Sequence, residues 1–464
     1  MADPLGESTE ARHRDGTPRS TDEVSVIEMD GRRCMIQSLS PRKLSQRSGG
    51  THLTKTKPFC ISKNAVWEAY RRIKANKGGA GIDQVEMGQF EKDLKPNLYR
   101  IWNRMSSGSY MPPAVLLVEI PKKDGSQRPL GIPTIADRIA QMVVKMELEP
   151  QIDPIFHPDS YGYRPNKSAL DALGKARQRC WQYDWVVDVD IKGFFDNIPH
   201  DLLMKAVQKH THCPWTLLYI KRWLVAPQQK WDGTITERSK GTPQGSVISP
   251  LLANLFLHYC TDEWLRINFP NCPFERYADD SVIHCRSKAE AETLKEALGK
   301  RLQACGLALH PEKTRIVYCK DSNRNKVNAC ISFDFLGYTF RPRQARRKQG
   351  GYFTSFLPAI SNKAKKGIYE QMREWKLNSK TGGDLASIAK TINPAIIGWI
   401  NYYGKYYHSA LRTTLNHINL KLAKWSKRKY KRLHGKLTRA FDWLVNISKR
   451  EPDLFAHWKV GVRP

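Results

Sequence analysis

The sequence predicts an α+β fold that gives way to a helical C-terminal part, and three observations carry that expectation. Strand-like runs rich in Val and Ile alternate with helically spaced apolar runs from Trp181 to about Phe340. After Ser361 the pattern is almost continuously helical. The charge is lopsided as well, with 76 Lys plus Arg against 45 Asp plus Glu, a formal +31. A polyanionic partner is therefore expected before any motif is read. At 464 residues, 40% hydrophobic and 26% charged, the chain can build roughly two to four packed domains, which excludes disorder throughout.

The ten cysteines contain no Cys-x-x-Cys, so their spacing supports neither a zinc knuckle nor a disulfide scaffold. The opening MADPLGESTEARHRDG has no apolar signal core, and no apolar run reaches the ~18 residues of a membrane span. A reducing, cytosolic, soluble protein with no membrane partner is expected.

Residues 1–60, rich in Ser, Thr, Arg, Gly and Asp, read as a disordered extension. Order is expected from Ile61, where SKNAVWEAYRRIKANKGG forms a helix capped by Ser62 and closed by Gly78 and Gly79. AVLLVEIPKKDGSQRPLGIP follows as a basic β-hairpin turning at Lys123 to Ser126. TIADRIAQMVVKMELEPQI is a helix expected to end at Pro150. VISPLLANLFLHYCTDEWL has the apolar spacing of one core helix.

Two acidic points stand out. In WVVDVDIKGFFDNIPH, Asp188 and Asp190 fall on one face of a strand, with Val187, Val189 and Ile191 on the other. In ERYADDSVIH, Asp279 and Asp280 sit at the tip of a hairpin between two strand-like runs. Carboxylates gathered from adjacent strands repel one another unless a divalent cation neutralises them, and magnesium suits an all-oxygen donor set. Two such ions about 4 Å apart can activate a 3′-hydroxyl and neutralise a leaving pyrophosphate, which is nucleotidyl transfer.

These acids belong to a longer series of motifs. YADD, DIKGFFDNIPH, KGTPQGSVISPLLANLFLHYCTDEWL, IPKKDGSQRPLGIPTIADR, SYGYRPNKSALDAL, GLALHPEKTRI and FDFLGYTF make the chain resemble the reverse transcriptases encoded by group II introns, the maturases, from about Ile61 to Gly461. The resemblance implies a right-hand polymerase: fingers over 61–180, a palm over 181–355 with the catalytic aspartates, and a helical basic thumb, the maturase domain X, over 361–464. It implies Asp190, Asp279 and Asp280 as ligands of two Mg2+ ions, with Asp188 a neighbouring structural or electrostatic acid and Asp196 a turn or helix-capping residue.

The same resemblance assigns the dNTP side of the site. Lys122 and Arg128 match triphosphate contacts, and Gln244 and Gly245 belong to a loop lying against the incoming nucleotide and template. Lys313 is a candidate proton donor to the departing pyrophosphate. An aromatic ring beside Asp190 can exclude a ribose 2′-hydroxyl; Phe195 is the candidate and Phe194 the alternative, either being equally readable as core. Arg164 and Asn166 are expected to contact template or to organise the fingers.

From Ser361 to Pro464 there are 22 Lys plus Arg and 6 Asp plus Glu, with rings interleaved: Trp399, Tyr402, Tyr403, Tyr406, Tyr407, Trp425, Tyr430, Phe441, Trp443 and Trp458. Such helices suit RNA; most of the rings read better as an aromatic core beneath a solvated basic face, so charge density more than the rings makes the case. Lys421, Lys424, Lys427, Arg428, Lys429, Lys431 and Arg432 form the run expected to grip intron RNA. The expected function is RNA-directed DNA polymerisation and maturase action, with intron RNA, target DNA and a primer as partners. The alternatives are a domesticated polymerase of defence or repair, and a splicing factor with little polymerase activity. Many family members continue into an HNH endonuclease; no such residues follow the thumb here, so the expectation is priming from a nascent strand at a replication fork.

Overall fold

The computed structural model describes residues 57–464 apart from 77, 122–126, 348 and 380; the expected N-terminal extension lies almost wholly outside the described residues. Ordered contacts begin slightly before Ile61. Phe59 N–H donates to Ser106 O at 3.1 Å, and the Lys57 ammonium lies 3.6 Å from the Trp102 ring centroid. Ser62 caps the helix Lys63–Ala75 by accepting from Ala65 N–H at 3.0 Å. The buried stripe of that helix, Val66, Ala69, Tyr70 and Ile73, packs on the helix Ile135–Ile152. This second helix runs through Pro150, where the sequence predicts its end. Leu148 and Ile152, on either side, have no exposed surface, so core packing holds the last turn despite the missing proline N–H.

The strands build three sheets among the described residues. The basic hairpin is β1 (Val115–Pro121) and β2 (Gln127–Ile132), antiparallel with Leu117 opposite Gly131. The central strand of the acidic region is β3 (Trp185–Val189). Two short strands, β4 (Gln228–Gln229) and β5 (Ile235–Thr236), extend the first sheet in the order β2-β1-β4-β5. The second sheet is antiparallel throughout and adds β6 (Phe274–Tyr277), β7 (Asp280–Cys285) and β8 (Arg315–Tyr318) in the order β6-β7-β3-β8. The third, β11-β10-β9, is formed by β9 (Phe333–Phe335), β10 (Tyr338–Arg346) and β11 (Tyr352–Ile360).

The expected division of β3 into one core face and one acidic face holds only at its end. Val187 and Val189 join the large core with the helices above, but Val186 is buried too, among Ala172, Val282, Val317 and Tyr338. The helix Ala169–Gln182 packs on β6, β7 and β11 and covers that second face. Only Asp188 and Asp190, beyond the reach of this cluster, emerge to carry carboxylates.

From Asn362 onward the described residues are helical: Asn362–Glu374, Leu385–Tyr403, His408–Lys429 and Leu437–Arg450 are the long elements. Ile392, Leu415, Ile418, Trp425, Leu444 and Trp458 close their common core. Most of the interleaved rings are core, as the second reading of them expects. Trp425 and Trp458 are fully buried, Tyr430 meets Trp443 at 5.2 Å, and Tyr402, Tyr403 and Tyr406 surround Tyr338 at 5.6–5.8 Å.

Candidate active site

The acidic hairpin turns tightly. Tyr277 pairs with Asp280, leaving Ala278 and Asp279 as the two turn residues, and Ala278 has φ +59°. That conformation is ordinarily glycine's, so the surroundings must hold it. Arg276 does much of this from full burial. Its guanidinium pairs with Asp262 at 2.6 and 2.8 Å and donates to Asn254 Oδ1 and Ala278 O, both at 2.9 Å. Asn254 Nδ2 in turn donates to Gly162 O at 2.7 Å. A Cβ on Gly162 would stand 2.3 Å from Ala278 N, so only glycine lets the 160–162 segment lie against the turn.

Asp262 reaches Arg276 because the expected single helix after Val247 is interrupted. Ser249–Leu257 and Glu263–Asn268 are separated by one wide turn in which Glu263 N–H donates to His258 O. Such a widened turn shifts the facing of everything after it, which apolar spacing alone does not reveal.

Asp190 lies one residue beyond β3, and a second segment clamps its backbone. His310 N–H donates to Asp190 O at 2.8 Å; Thr314 Oγ1 donates to the same oxygen at 3.2 Å and accepts Asp190 N–H at 3.3 Å. The loop thus fixed delivers Lys313 to a cavity of about 350 Å3 that Asp188, Asp190, Asp280, Glu312 and Arg315 also line. Asp279 is adjacent through the turn.

The electrostatics of this floor are strained. Poorly solvated surroundings push Asp188 up to about 7, even with the Arg315 guanidinium at 3.3 Å. Desolvation together with the charges of Asp279 and Asp190 pushes Asp280 up to about 6. Asp279 is raised by burial and by Asp190, with Arg128 acting in the opposite sense. Carboxylates that resist ionising together are the donor set a hard divalent cation relieves, so the residues present fit magnesium. Among the described residues, the one trio of metal-capable atoms within 4.8 Å lies elsewhere; the acids here span a floor wider than that.

The residues expected to face the nucleotide are joined to one another. Arg128 Nε donates to Gln244 Oε1 at 2.8 Å, and Gln244 Nε2 donates to Asp196 Oδ1 at 3.5 Å. Gln244 O accepts Gly131 N–H at 2.7 Å, while Gly245, at φ +109°, has room for no Cβ because Gly131 O lies 2.6 Å away. The loop is therefore docked on β2. Asp196 sits within the short helix Phe194–Asn197, whose N-cap is Gly193, so it is a helical residue bonded to Gln244, neither the expected turn residue nor the expected cap. Phe194 is buried in the core and Phe195 is half-buried beside it, ring centroids 5.2 Å apart. Lys122 lies outside the described residues. Arg164 is committed internally, to Asp153 at 2.8 Å and to the His157 and Ser160 carbonyls at 2.9 Å, which favours the organising role.

Sequence reasoning misses the buried support. Asp137 accepts hydrogen bonds from Trp223 Nε1, Tyr110 Oη and Gln141 Nε2 at 2.7–3.0 Å, and Gln141 Oε1 accepts Val247 N–H at 2.8 Å. The sequence trace of such a network is a charged pair within an otherwise apolar run, as with Asp137 and Arg138 between Ala136 and Ile139.

In the basic helix His408–Lys429, Lys424 and Arg428 are exposed and Lys421 is half-buried on the same face; Lys431 and Arg432 are exposed just beyond, and Lys427 is half-buried. Lys429 differs: its ammonium donates to Gly383 O and lies 5.4 Å from the Trp425 ring centroid.

Residues 120–340 match the family described as reverse transcriptase (RNA-dependent DNA polymerase), and residues 365–441 match the group II intron maturase-specific domain. Protein YkfC of Escherichia coli K12 is 31% identical over 60% of this chain and 81% of its own length. The group II intron-encoded protein LtrA of Lactococcus lactis is 33% identical over 63% of this chain. The chain belongs to the group II intron-encoded reverse transcriptases. The enzyme class of that family is RNA-directed DNA polymerase, and its members generally use divalent metal ions and dNTPs. This reverse transcriptase matches half the length of LtrA. Among solved structures, telomerase from Candida albicans is similar at a TM-score of 0.41, with 12% identity over 81% of this chain and 67% of that one.

Proposed function

We propose that this chain extends a primer 3′-hydroxyl with dNTPs on an RNA template, and that it binds a group II intron transcript, assists its splicing and copies it at a DNA target. The carrying observation is the gathering of Asp188, Asp190 and Asp280 on one cavity floor with Lys313, Asp279 being held at the turn beside them. In this reading residues 61–180 are fingers, 181–355 palm, and 361–464 the thumb and RNA-binding domain of a cytosolic protein.

Asp190, Asp279 and Asp280 would hold two Mg2+ ions, which when bound acidify the 3′-hydroxyl and neutralise charge on the departing pyrophosphate. Arg128, steadied by Gln244, and Lys122 offer cations to the triphosphate. Lys313 gives a proton from Nζ to the leaving group. Phe195 stands where a ribose 2′-hydroxyl is excluded, its neighbour Phe194 being spent on the core. The exposed face of Lys421, Lys424 and Arg428, with Lys427, Lys431 and Arg432 beside it, grips phosphates.

Incorporation of dTTP on poly(rA)/oligo(dT) with magnesium tests the polymerase: activity is expected in the intact chain and loss to background in Asp279→Asn. Full incorporation by that variant contradicts the assignment of the acids. Splicing of an intron precursor with and without the protein tests the maturase, and equal rates in both remove that role.

A further inference from the structure

The open end of the acidic hairpin holds a second group of ligand-type side chains. Cys272 precedes β6 and Cys285 ends β7, so the register that sets Phe274 opposite Ile283 brings the two cysteines across from each other. Their sulfurs are 3.9 Å apart and both side chains are buried. A carboxylate oxygen of Glu290 completes a trio whose atoms all lie within 4.8 Å of one another. Glu290 is held there by the start of the helix Lys288–Ala304. Its N–H donates to Ser287 Oγ at 3.1 Å and its Oε2 accepts Arg286 N–H at 2.6 Å.

We propose that Cys272, Cys285 and Glu290 bind one zinc-type divalent ion, with water as the fourth ligand. Two thiolates on a tetrahedral zinc, each at about 2.3 Å, stand about 3.8 Å apart, which is close to the separation seen. The cysteines 180 and 319, and 260 and 305, also meet as pairs. Neither of those pairs brings a carboxylate or imidazole into a comparable trio among the described residues. Softness of the donors separates this site from the all-oxygen floor at the other end of the hairpin, which suits magnesium. Binding displaces one proton from each thiol and replaces all but one of the aqua ion's waters with two thiolate sulfurs and one Glu290 oxygen, with no change in oxidation state. Asn271 and Arg286, next in sequence to the two cysteines, are exposed, so the site lies close under the surface. The bound ion would cross-link the base of the hairpin that carries Asp279 and Asp280 to the following helix.

Cobalt(II) titration of the full chain, stripped with chelator and kept reduced and anaerobic, tests this with the metal alone as probe. One equivalent is expected to produce thiolate-to-cobalt charge-transfer bands and tetrahedral visible bands, and zinc should displace it. Cys272→Ser/Cys285→Ser is expected to lose both sets of bands. Glu290→Gln, which spares the buried thiols should the double variant fail to fold, is expected to weaken cobalt binding while leaving the charge-transfer bands at saturation. Cys180→Ser is expected to bind as the parent does. The proposal is overturned if the intact chain gives no thiolate-to-cobalt charge-transfer bands, if Glu290→Gln develops them at the same cobalt concentration as the parent, or if Cys180→Ser abolishes them.

Discussion

At Arg276 one side chain joins four parts of the molecule: the turn at Ala278, the helix of Asn254, the wide turn of Asp262 and, through Asn254, the close-packed Gly162. A buried pair of this kind contributes little over an apolar replacement, yet losing one partner strands the other charge at a cost of about 3–5 kcal/mol. Arg276→Met is therefore expected to lower the urea midpoint sharply, and Arg276→Met/Asp262→Leu to recover much of the loss. A double variant as unstable as the two losses summed would show that the charges act independently. Asp137 makes the opposite point about charge. Burial pushes its carboxyl up to about 6 from 3.8, so the stability associated with its protonated form is full below pH 4 and is lost as pH rises through 6. About two units correspond to roughly 3 kcal/mol. Asp137→Asn keeps an acceptor for Tyr110 and Trp223 but turns an amide N–H toward Gln141 Nε2, costing about 1 kcal/mol. The variant is expected to be less stable than the parent at pH 4 and to overtake it by pH 7.5; parallel urea midpoints at both pH values would remove Asp137 as the titrating group.

Elements differ in how far the sequence exposes them. The hairpin of β6 and β7 is legible because its alternation and its acidic turn are local, and the start of the helix after Ser62 because its cap is local, although the helix closes at Asn76, ahead of the two glycines expected to stop it. The end of the helix at Pro150 is misjudged because Leu148 and Ile152 are held by contacts from distant parts of the chain. The wide turn before Glu263 is invisible for the same reason, its Asp262 being placed against Arg276 by folding, whereas the thiol pair at Cys272 and Cys285 follows from the register of the local hairpin. Lys429 reads as one basic residue among seven, yet the Gly383 carbonyl takes its ammonium. The C-terminal helices contain a further internal tie. His457 Nε2 and Trp458 Nε1 both donate to Asn419 Oδ1 at 2.8 Å, and burial pushes His457 down to about 3. A histidine depressed in the folded state leaves stability intact above its unfolded value near 6.5 and erodes it as pH falls toward 3. The full shift is on the order of 4–5 kcal/mol. Loss of tryptophan burial, followed by fluorescence between pH 7 and pH 4, is expected in the parent. His457→Gln, which retains a donor for Asn419, is expected to flatten that dependence.

Across the whole molecule the charges divide by role. Acids from two strands and a turn confront one cavity, while residues 361–464 carry 22 Lys plus Arg against 6 Asp plus Glu. Burial sorts those cations further. Lys424, Arg428 and Lys431 are exposed and available to phosphates, whereas Lys429 is engaged within the protein. Each phosphate neutralised changes the slope of log affinity against log salt by about 0.7–0.9, because counterions are released from the nucleic acid. Lys424→Ala/Arg428→Ala/Lys431→Ala is therefore expected to flatten the salt slope for intron RNA by about 2–3 with little change in thermal midpoint. Lys429→Ala is expected to do the reverse, lowering the midpoint through the lost bond to Gly383 O while leaving the slope within one contact of the parent. Filter-binding titrations over a range of potassium concentrations, set beside thermal melts of the same variants, separate the two. An unchanged slope in the triple variant would place the RNA on another face of the helical domain.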